Sequence, residues 1–297
     1  MRFRRQGPSL VVDAPAKLNL FLEVCGKRPD GYHELETLMV SIGLCDTLRF
    51  TPLPHPDIVL RNRFAHDQDS VGFPCGDSNL VVKAARLLAA ATGCRTGAEI
   101  DLLKRIPSAS GLGGGSSDAA ATLVALNRLW RTGLDADQLD QLAAQLGSDL
   151  NFFMRSPRLA VCRGRGEIVE PRPLPRMLHF VVLRPAGGLS TADVFREWRS
   201  ASAEVRQVEP LLTRMFGGAT AARGGMFNAL TAPAARLSSE IAAGLAMLED
   251  CGGAQPLMTG SGSACFCLCD NASHARQIGR RVSQRMHARV WIVSTCV

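Results

Sequence analysis

The sequence predicts an α+β protein of two domains, and three observations carry that prediction. Strand-like alternation and helix-like spacing follow one another in mixed order, without the strict strand–helix repeat of a doubly wound sheet. Hydrophobic residues make up 46% of 297 residues, enough for a sizeable core, and no long polar tract interrupts them. The chain changes character around Pro171, Pro173 and Pro175, which places a boundary between residues 1–174 and 175–297.

The elements follow in order. In AKLNLFLEV, Leu18, Leu20, Leu22 and Val24 point one way along a strand, while Lys17, Asn19, Phe21 and Glu23 point the other. Pro29, Asp30 and Gly31 predict a turn, and strand-like sequence resumes from Glu34 to Phe50. Residues 51–77 read as loops around one short strand. Leu80, Ala84, Leu87 and Leu88 share a helix face that Gly93 ends. A strand from Ala98 to Ile106 leads into a glycine loop. The segment from Ser116 onward is helical, with Ala119, Leu123, Leu126 and Trp130 on one side. Asp135 and Gln138 form a capping box for the next helix, whose stripe is Leu139, Leu142 and Leu146 and whose stop is Gly147. Asp149 therefore falls in a short connection before Phe152 and Phe153. In the second half we expect a strand at His179–Leu183, a helix from Ser190, another helix, and one helix carrying Leu237, Ile241, Leu245 and Leu248. A second glycine-serine loop, TGSGSA at 259–264, precedes the strand ACFCLC. A helix bearing Ile278, Val282 and Met286 and the strand VWIV complete the pattern.

Composition narrows the function. A net charge of +7 suits anionic ligands such as nucleotides and phosphate esters. Aromatic residues are only 5% of the chain, too few to interleave a single-strand nucleic-acid platform. The ten cysteines include no CxxC pair, so neither a zinc site nor a disulfide framework is expected; Cys265, Cys267 and Cys269 read as small buried residues. The basic start MRFRRQGPSL lacks the apolar core of a signal peptide, and no apolar run approaches the ~18 residues of a membrane span. A cytoplasmic protein is the expectation.

The loop PSASGLGGGSSDAA holds four glycines within five residues and runs directly into an Ala-rich helix. Phosphate binding needs converging backbone N–H groups without Cβ atoms in the way, and a helix N-terminus adds aligned donors. Two common nucleotide motifs fail on spacing. There is no Gly-Lys-Ser/Thr, so this is not a Walker A loop, and Ser116 stands where a dinucleotide fingerprint needs Gly or Ala. Residues Pro107, Ser108, Ala109, Ser110, Gly111, Leu112, Gly113, Gly114, Gly115, Ser116 and Ser117 are the candidate phosphate cradle. Ser116 and Ser117 could cap the helix, contact phosphate oxygen, or reach a Mg²⁺ ion.

This loop resembles the phosphate-binding motif of the galactokinase, homoserine kinase, mevalonate kinase and phosphomevalonate kinase (GHMP kinase) superfamily. APAKLNLFLEVCGKRPDGYHELETL is similar, more particularly, to the 4-diphosphocytidyl-2-C-methyl-D-erythritol kinases of the non-mevalonate isoprenoid pathway. The resemblance is strong over the first 155 residues, and TGSGSACF extends it into the second half. It implies a ribosomal-protein-like N-terminal domain, a ferredoxin-like C-terminal domain, and transfer of a phosphoryl group from ATP, supplied as its Mg²⁺ complex, to a C2 hydroxyl. It implies catalytic roles for Lys17 in PAKLN and for Asp149 in LG-x-D, with Asp149 accepting the hydroxyl proton while Lys17 orients it and neutralises developing charge. For the cytidine end it implies that Tyr32 stacks on the base and His33 bonds its edge. Asn19, Thr191, Phe195, Gly260, Ser261 and Gly262 complete the implied substrate set. A dedicated protein metal site, nucleic acid and membrane are not expected, and a monomer or weak homodimer is.

Two departures stand out. Leu150-Asn151 replaces the family's common Val-Pro after Asp149, and Asn228-Ala229-Leu230-Thr231 replaces Asn-Asp-Leu-Glu. The alternatives are another GHMP kinase acting on mevalonate, homoserine or a sugar, or a non-catalytic nucleic-acid-binding protein.

Overall fold

The computed structural model describes residues 1–198 and 205–296. The chain begins with four strands: β1 (Arg2–Gln6), β2 (Ser9–Lys27), β3 (His33–Leu53) and β4 (Ile58–Phe64). Then come α1 (Leu80–Thr92), β5 (Gly97–Lys104), α2 (Gly114–Trp130), α3 (Ala136–Leu146) and α4 (Leu150–Arg155). The strands β6 (Leu159–Gly164), β7 (Ile168–Pro171) and β8 (His179–Arg184) lead to the helices α5 (Thr191–Glu197), α6 (Glu209–Met215) and α7 (Ala219–Arg223). After β9 (Phe227–Asn228) follow α8 (Thr231–Leu237), α9 (Ser239–Asp250), β10 (Leu257–Met258), β11 (Cys265–Cys269), α10 (Ala272–Arg285) and β12 (Arg289–Ser294). The mixture of helix and strand is the expected α+β class. No helix among the described residues is long and apolar enough to cross a membrane.

Two compact units form, and neither is one continuous stretch. The first comprises Met1–Ala16, Leu44–Ser108 and Gly113–Ser156; the second comprises Lys17–Gly43, Ala109–Leu112 and Pro157–Val297. Strands β2 and β3 each give one part of their length to each unit, which is why a division of the sequence at 174/175 and the compact units do not coincide.

In the first unit β1 pairs antiparallel with β2 (Arg2↔Asp13 to Gln6↔Ser9), and β3 pairs antiparallel with β5 (Thr47↔Leu103 to Leu53↔Gly97). Strand β4 lies parallel to β5. Val12, Leu48, Phe50, Leu88, Leu102, Leu123 and Leu126 fill its core. The periodic residues of α1 and α2 supply that core as their spacing predicts. Asn79 caps α1 through Val81 N, and Gly93 ends it in the left-handed region. The capping box of Asp135 and Gln138 opens α3.

In the second unit β3 pairs with β6 and β6 with β7, both antiparallel, and β9 lies parallel to β2. A separate antiparallel sheet has the order β10-β11-β8-β12. Leu183, Ile241, Leu248, Met258, Ile278 and Val282 pack in its core, together with Cys265, Cys267 and Cys269. All ten cysteines are free thiols.

The structure changes three details of the sequence reading. The expected single helix around Leu237–Leu248 is two, because Ser238 is extended (φ −141°, ψ 111°) between α8 and α9; Leu237 is accordingly exposed, not part of the stripe. Helix α2 starts at Gly114, two residues before Ser116, with Gly113 at its N-cap. Strand β1 carries Arg or Gln at four of its five sites, while β6 is a short apolar run and β7 only four residues long, so none of the three shows the apolar alternation that announces a strand.

Replacing the α3 cap, Asp135→Ala, is expected to lower stability by about 1 kcal/mol. Urea unfolding checks this; an unchanged midpoint would show that the box adds nothing beyond tertiary packing.

Candidate active site

Lys17 is 3% exposed on β2. Burying an ammonium group is costly unless it is paired or hydrogen-bonded. Its Nζ donates to Asn19 Oδ1 at 2.5 Å, across the two-residue repeat that puts both side chains on one strand face. Asn19 bonds through its side chain and its backbone. Its Nδ2 donates to Thr37 Oγ1 (2.8 Å), and that hydroxyl donates to the carbonyl of Phe21 (2.6 Å). Its backbone N–H donates to Thr259 Oγ1 (3.1 Å). The Thr259 hydroxyl proton in turn has Asn19 Oδ1 at 3.0 Å and the Gly111 carbonyl at 3.5 Å as acceptors.

The same unit contains the middle of the glycine loop, Ala109–Leu112. Leu112 O accepts from Lys17 N (3.0 Å) and Ser110 O from Ala264 N (3.0 Å). Gly111 has φ +75°, and a Cβ there would sit 2.1 Å from the Thr259 carbonyl. Only glycine lets these two backbones meet. The TGSGSA loop thus packs backbone to backbone on this part of the cradle. Gly260 closes over Lys17: a methyl group on it would lie 3.1 Å from Nζ. Asn228 Nδ2 donates to the carbonyls of Met258 (2.7 Å) and Gly260 (2.9 Å), so the asparagine kept in the departed stretch anchors this turn. Gly262 N donates to Thr259 O (3.0 Å), closing it. Ser261 Oγ and Thr191 Oγ1 share a 2.8 Å hydrogen bond, which brings the start of α5 to the loop. Ser190 caps α5 through Asp193 N.

The residues expected at a cytosine base are also in this unit. His33 stacks on Phe195, with ring centroids 4.7 Å apart and planes 21° from parallel, and meets Trp198 edge-on at 5.7 Å. Burial, and then the charge of Lys27, hold the His33 imidazole below its ordinary value. It is therefore neutral near pH 7, one nitrogen donating and the other accepting. Tyr32 is exposed beside it, with the Arg165 guanidinium 4.9 Å from its ring centre. Asp30 Oδ1 accepts from Tyr32 N (3.1 Å) and shapes the turn.

The other expected residues belong to the first unit. Pro107 and Ser108 end its β5 segment, and Gly113, Gly114, Gly115, Ser116 and Ser117 begin α2. Neither serine caps the helix. Ser117 Oγ is buried with no hydrogen-bond partner among the described residues, as is Asp118 Oδ1. The orphaned Ser117 hydroxyl, in the first turn of α2, suits a phosphate oxygen or its bound cation as an outside partner. Asp149 is half-buried, between α3 and α4, and makes no capping bond to α4. Asn151 Nδ2 donates to Asp140 O (3.0 Å) in the same region. No group of three or more His, Cys, Asp and Glu among the described residues could hold a metal ion.

Thr37, Thr259, Asn228 and Trp198 were not legible in the sequence as site residues. Thr259 opens TGSGSA, but a threonine before a glycine turn has the look of a turn former. Only its long-range partners, Asn19 and Gly111, reveal its role.

The chain is similar to known kinases over most of its length. The description "GHMP kinases N terminal domain" matches residues 79–155 and "GHMP kinases C terminal" matches 214–288. A 4-diphosphocytidyl-2-C-methyl-D-erythritol kinase from Pelotomaculum thermopropionicum is 43% identical over 277 residues, covering 90% of this chain and 92% of that protein. One from Verminephrobacter eiseniae is 40% identical, covering 90% and 87%. A crystal structure of 4-(cytidine 5'-diphospho)-2C-methyl-D-erythritol kinase superposes with a TM-score of 0.81 at 35% identity, over 97% of this chain and 99% of that one. Homoserine kinase from Cytophaga hutchinsonii, at 16% identity and a TM-score of 0.71 over 100% and 97%, shares the fold.

Thr259→Val removes a hydroxyl while keeping shape, and strands the Asn19 N–H. The expected loss of stability is about 1–3 kcal/mol, with Thr259→Ser much closer to wild type. Denaturant unfolding of the two variants checks this, and equal effects would contradict the network.

Proposed function

We propose that this chain, which belongs to the 4-diphosphocytidyl-2-C-methyl-D-erythritol kinase family of GHMP kinases, transfers the γ-phosphate of ATP to the C2 hydroxyl of 4-diphosphocytidyl-2-C-methyl-D-erythritol. The products are the 2-phosphate and ADP. One observation carries the reading: the buried ammonium of Lys17 is held by Asn19 beside the Ala109–Leu112 segment of the glycine loop.

Phosphoryl transfer demands positioning and charge neutralisation more than covalent chemistry. The glycine loop and the N-terminus of α2 receive the phosphates of ATP, whose Mg²⁺ arrives as part of that substrate complex. Ser117, with its orphaned hydroxyl, suits a phosphate or magnesium contact. Asp149 takes the proton of the attacking hydroxyl. Lys17 orients Asp149 and offsets the negative charge that develops on the transferring group. The motifs LG-x-D and PAKLN support these two roles.

At the other end of the substrate, His33, Phe195 and Tyr32 supply what a cytosine needs: an aromatic platform and a neutral imidazole that both donates and accepts. Thr191, Ser261, Gly260 and Gly262 complete the proposed substrate set; Gly260 lies against Lys17, and Ser261 of the same loop is hydrogen-bonded to Thr191. A cytoplasmic location and a monomer or weak homodimer fit this reading.

The direct test measures ADP formation with the cytidyl alcohol, mevalonate and homoserine in turn. Turnover of the cytidyl alcohol alone is expected; turnover of mevalonate in its place would overturn the assignment. Asp149→Asn should leave ATP binding near wild type and lower kcat by at least ~100-fold. Wild-type turnover in that variant would remove Asp149 from the chemistry. A pH series tests His33. Because its value lies below the ordinary 6.5, the neutral form prevails at and above that pH and is lost only on further acidification. KM for the cytidyl alcohol is thus expected to stay flat down to about pH 6.5 and rise below it, and His33→Asn should abolish the rise.

A further inference from the structure

The first unit holds a second buried lysine that the proposed chemistry does not use. Lys104, the last residue of β5, is 3% exposed, and its Nζ donates to Asp46 Oδ2 at 2.5 Å and to Asp118 Oδ2 at 2.8 Å. Asp46 is 0% exposed and Asp118 2%. Burial works to strip the Lys104 proton, but the two carboxylates outweigh it and raise the group to about 12, so it stays a cation.

The placement of these three residues matters more than their charge. Lys104 lies three residues before Pro107, where the glycine loop begins, and Asp118 is the first residue after Ser117, where it ends. Their ion pair therefore ties the two ends of the loop together. Asp46, from β3, secures the entry strand as well: its Oδ1 accepts from the backbone N–H groups of Arg105 (2.5 Å) and Ile106 (2.9 Å). Arg105 Nη1 donates to Thr47 Oγ1 (2.9 Å) and holds the same corner.

A purely structural salt bridge would be a poor investment here. Burial, with the Asp46 carboxylate beside it, pushes the Asp118 carboxyl well above its ordinary value, and buried clusters of this kind are weak sources of stability. The arrangement also leaves Asp118 Oδ1 and Ser117 Oγ buried without partners among the described residues. That cost is not recovered within the protein, so the first turns of α2 are held in a shape that favours something other than stability.

We propose that Lys104 is a positioning residue for the nucleotide: with Asp46 and Asp118 it staples the two ends of the glycine loop, setting the separation between β5 and the N-terminus of α2 to that which the phosphates of ATP require. This rests on the reading of the loop as the ATP cradle. The staple acts on nucleotide affinity and leaves the alcohol site alone.

The test uses the full chain and two variants. Lys104→Met matches the stem of lysine but leaves two carboxylates facing each other, and it strains the fold. Asp118→Asn keeps the volume and an acceptor oxygen for Lys104, so it isolates the charge-assisted tie. Binding of a non-hydrolysable ATP analogue with Mg²⁺ is measured by calorimetry, and KM for the cytidyl alcohol by steady-state kinetics. The expected result for Asp118→Asn is an affinity for the analogue weakened about tenfold, with KM for the alcohol unchanged, and a larger loss for Lys104→Met where it folds. Unchanged analogue affinity in Asp118→Asn, with only thermal stability reduced, would overturn the staple. An equal rise in Kd for the analogue and KM for the alcohol would overturn it too, since that is general loosening. Absence of analogue binding to the wild-type chain would sink the nucleotide reading itself, which separates the two failures.

Discussion

A buried ammonium group must be satisfied, and much of the second unit is arranged around satisfying that of Lys17. Asn19 accepts its hydrogen bond and is itself held by Thr37 and Thr259. Thr259 belongs to a loop pinned by Asn228 and packed directly on Gly111. The consequence is a rigidly held ammonium group. A lysine on a strand ordinarily extends its stem into solvent with several rotamers open to it. Here the stem is enclosed and the donor already aimed, so the entropy of positioning is lost once, on folding.

The first unit repeats the theme with a different solution. Lys104 is as deeply buried as Lys17, but it is matched by two carboxylates, a pairing that holds its charge without leaving it for chemistry. Asn19 Oδ1, a neutral amide oxygen, fixes the direction of the Lys17 donor; Asp46 and Asp118 hold Lys104 in a tie.

Much of this was legible in the sequence, for identifiable reasons. Lys17 and Asn19 are two apart on an alternating strand, so their contact follows from strand geometry alone. The capping box of α3 and the stop at Gly93 are local chemistry, and both are present. What was hidden depends on distance along the chain. Thr259 reaches Asn19 across 240 residues, and no local pattern announces such a bond. Likewise the break at Ser238 interrupts a regular apolar repeat without any Gly or Pro to mark it. Strand β1 was missed because Arg2, Arg4 and Arg5 mask the two-residue period in a strand whose pairing partner, β2, carries the apolar signal. The roles of Tyr32 and Asp149 rest on motif likeness more than on local geometry.

The most direct measurement of the central claim is the phosphorus NMR spectrum of the reaction of this protein with Mg-ATP and 4-diphosphocytidyl-2-C-methyl-D-erythritol. The account predicts one new phosphate monoester on C2, appearing in step with ADP while the cytidine diphosphate bridge stays intact. ADP accompanied only by inorganic phosphate, or a monoester at another hydroxyl, would contradict it.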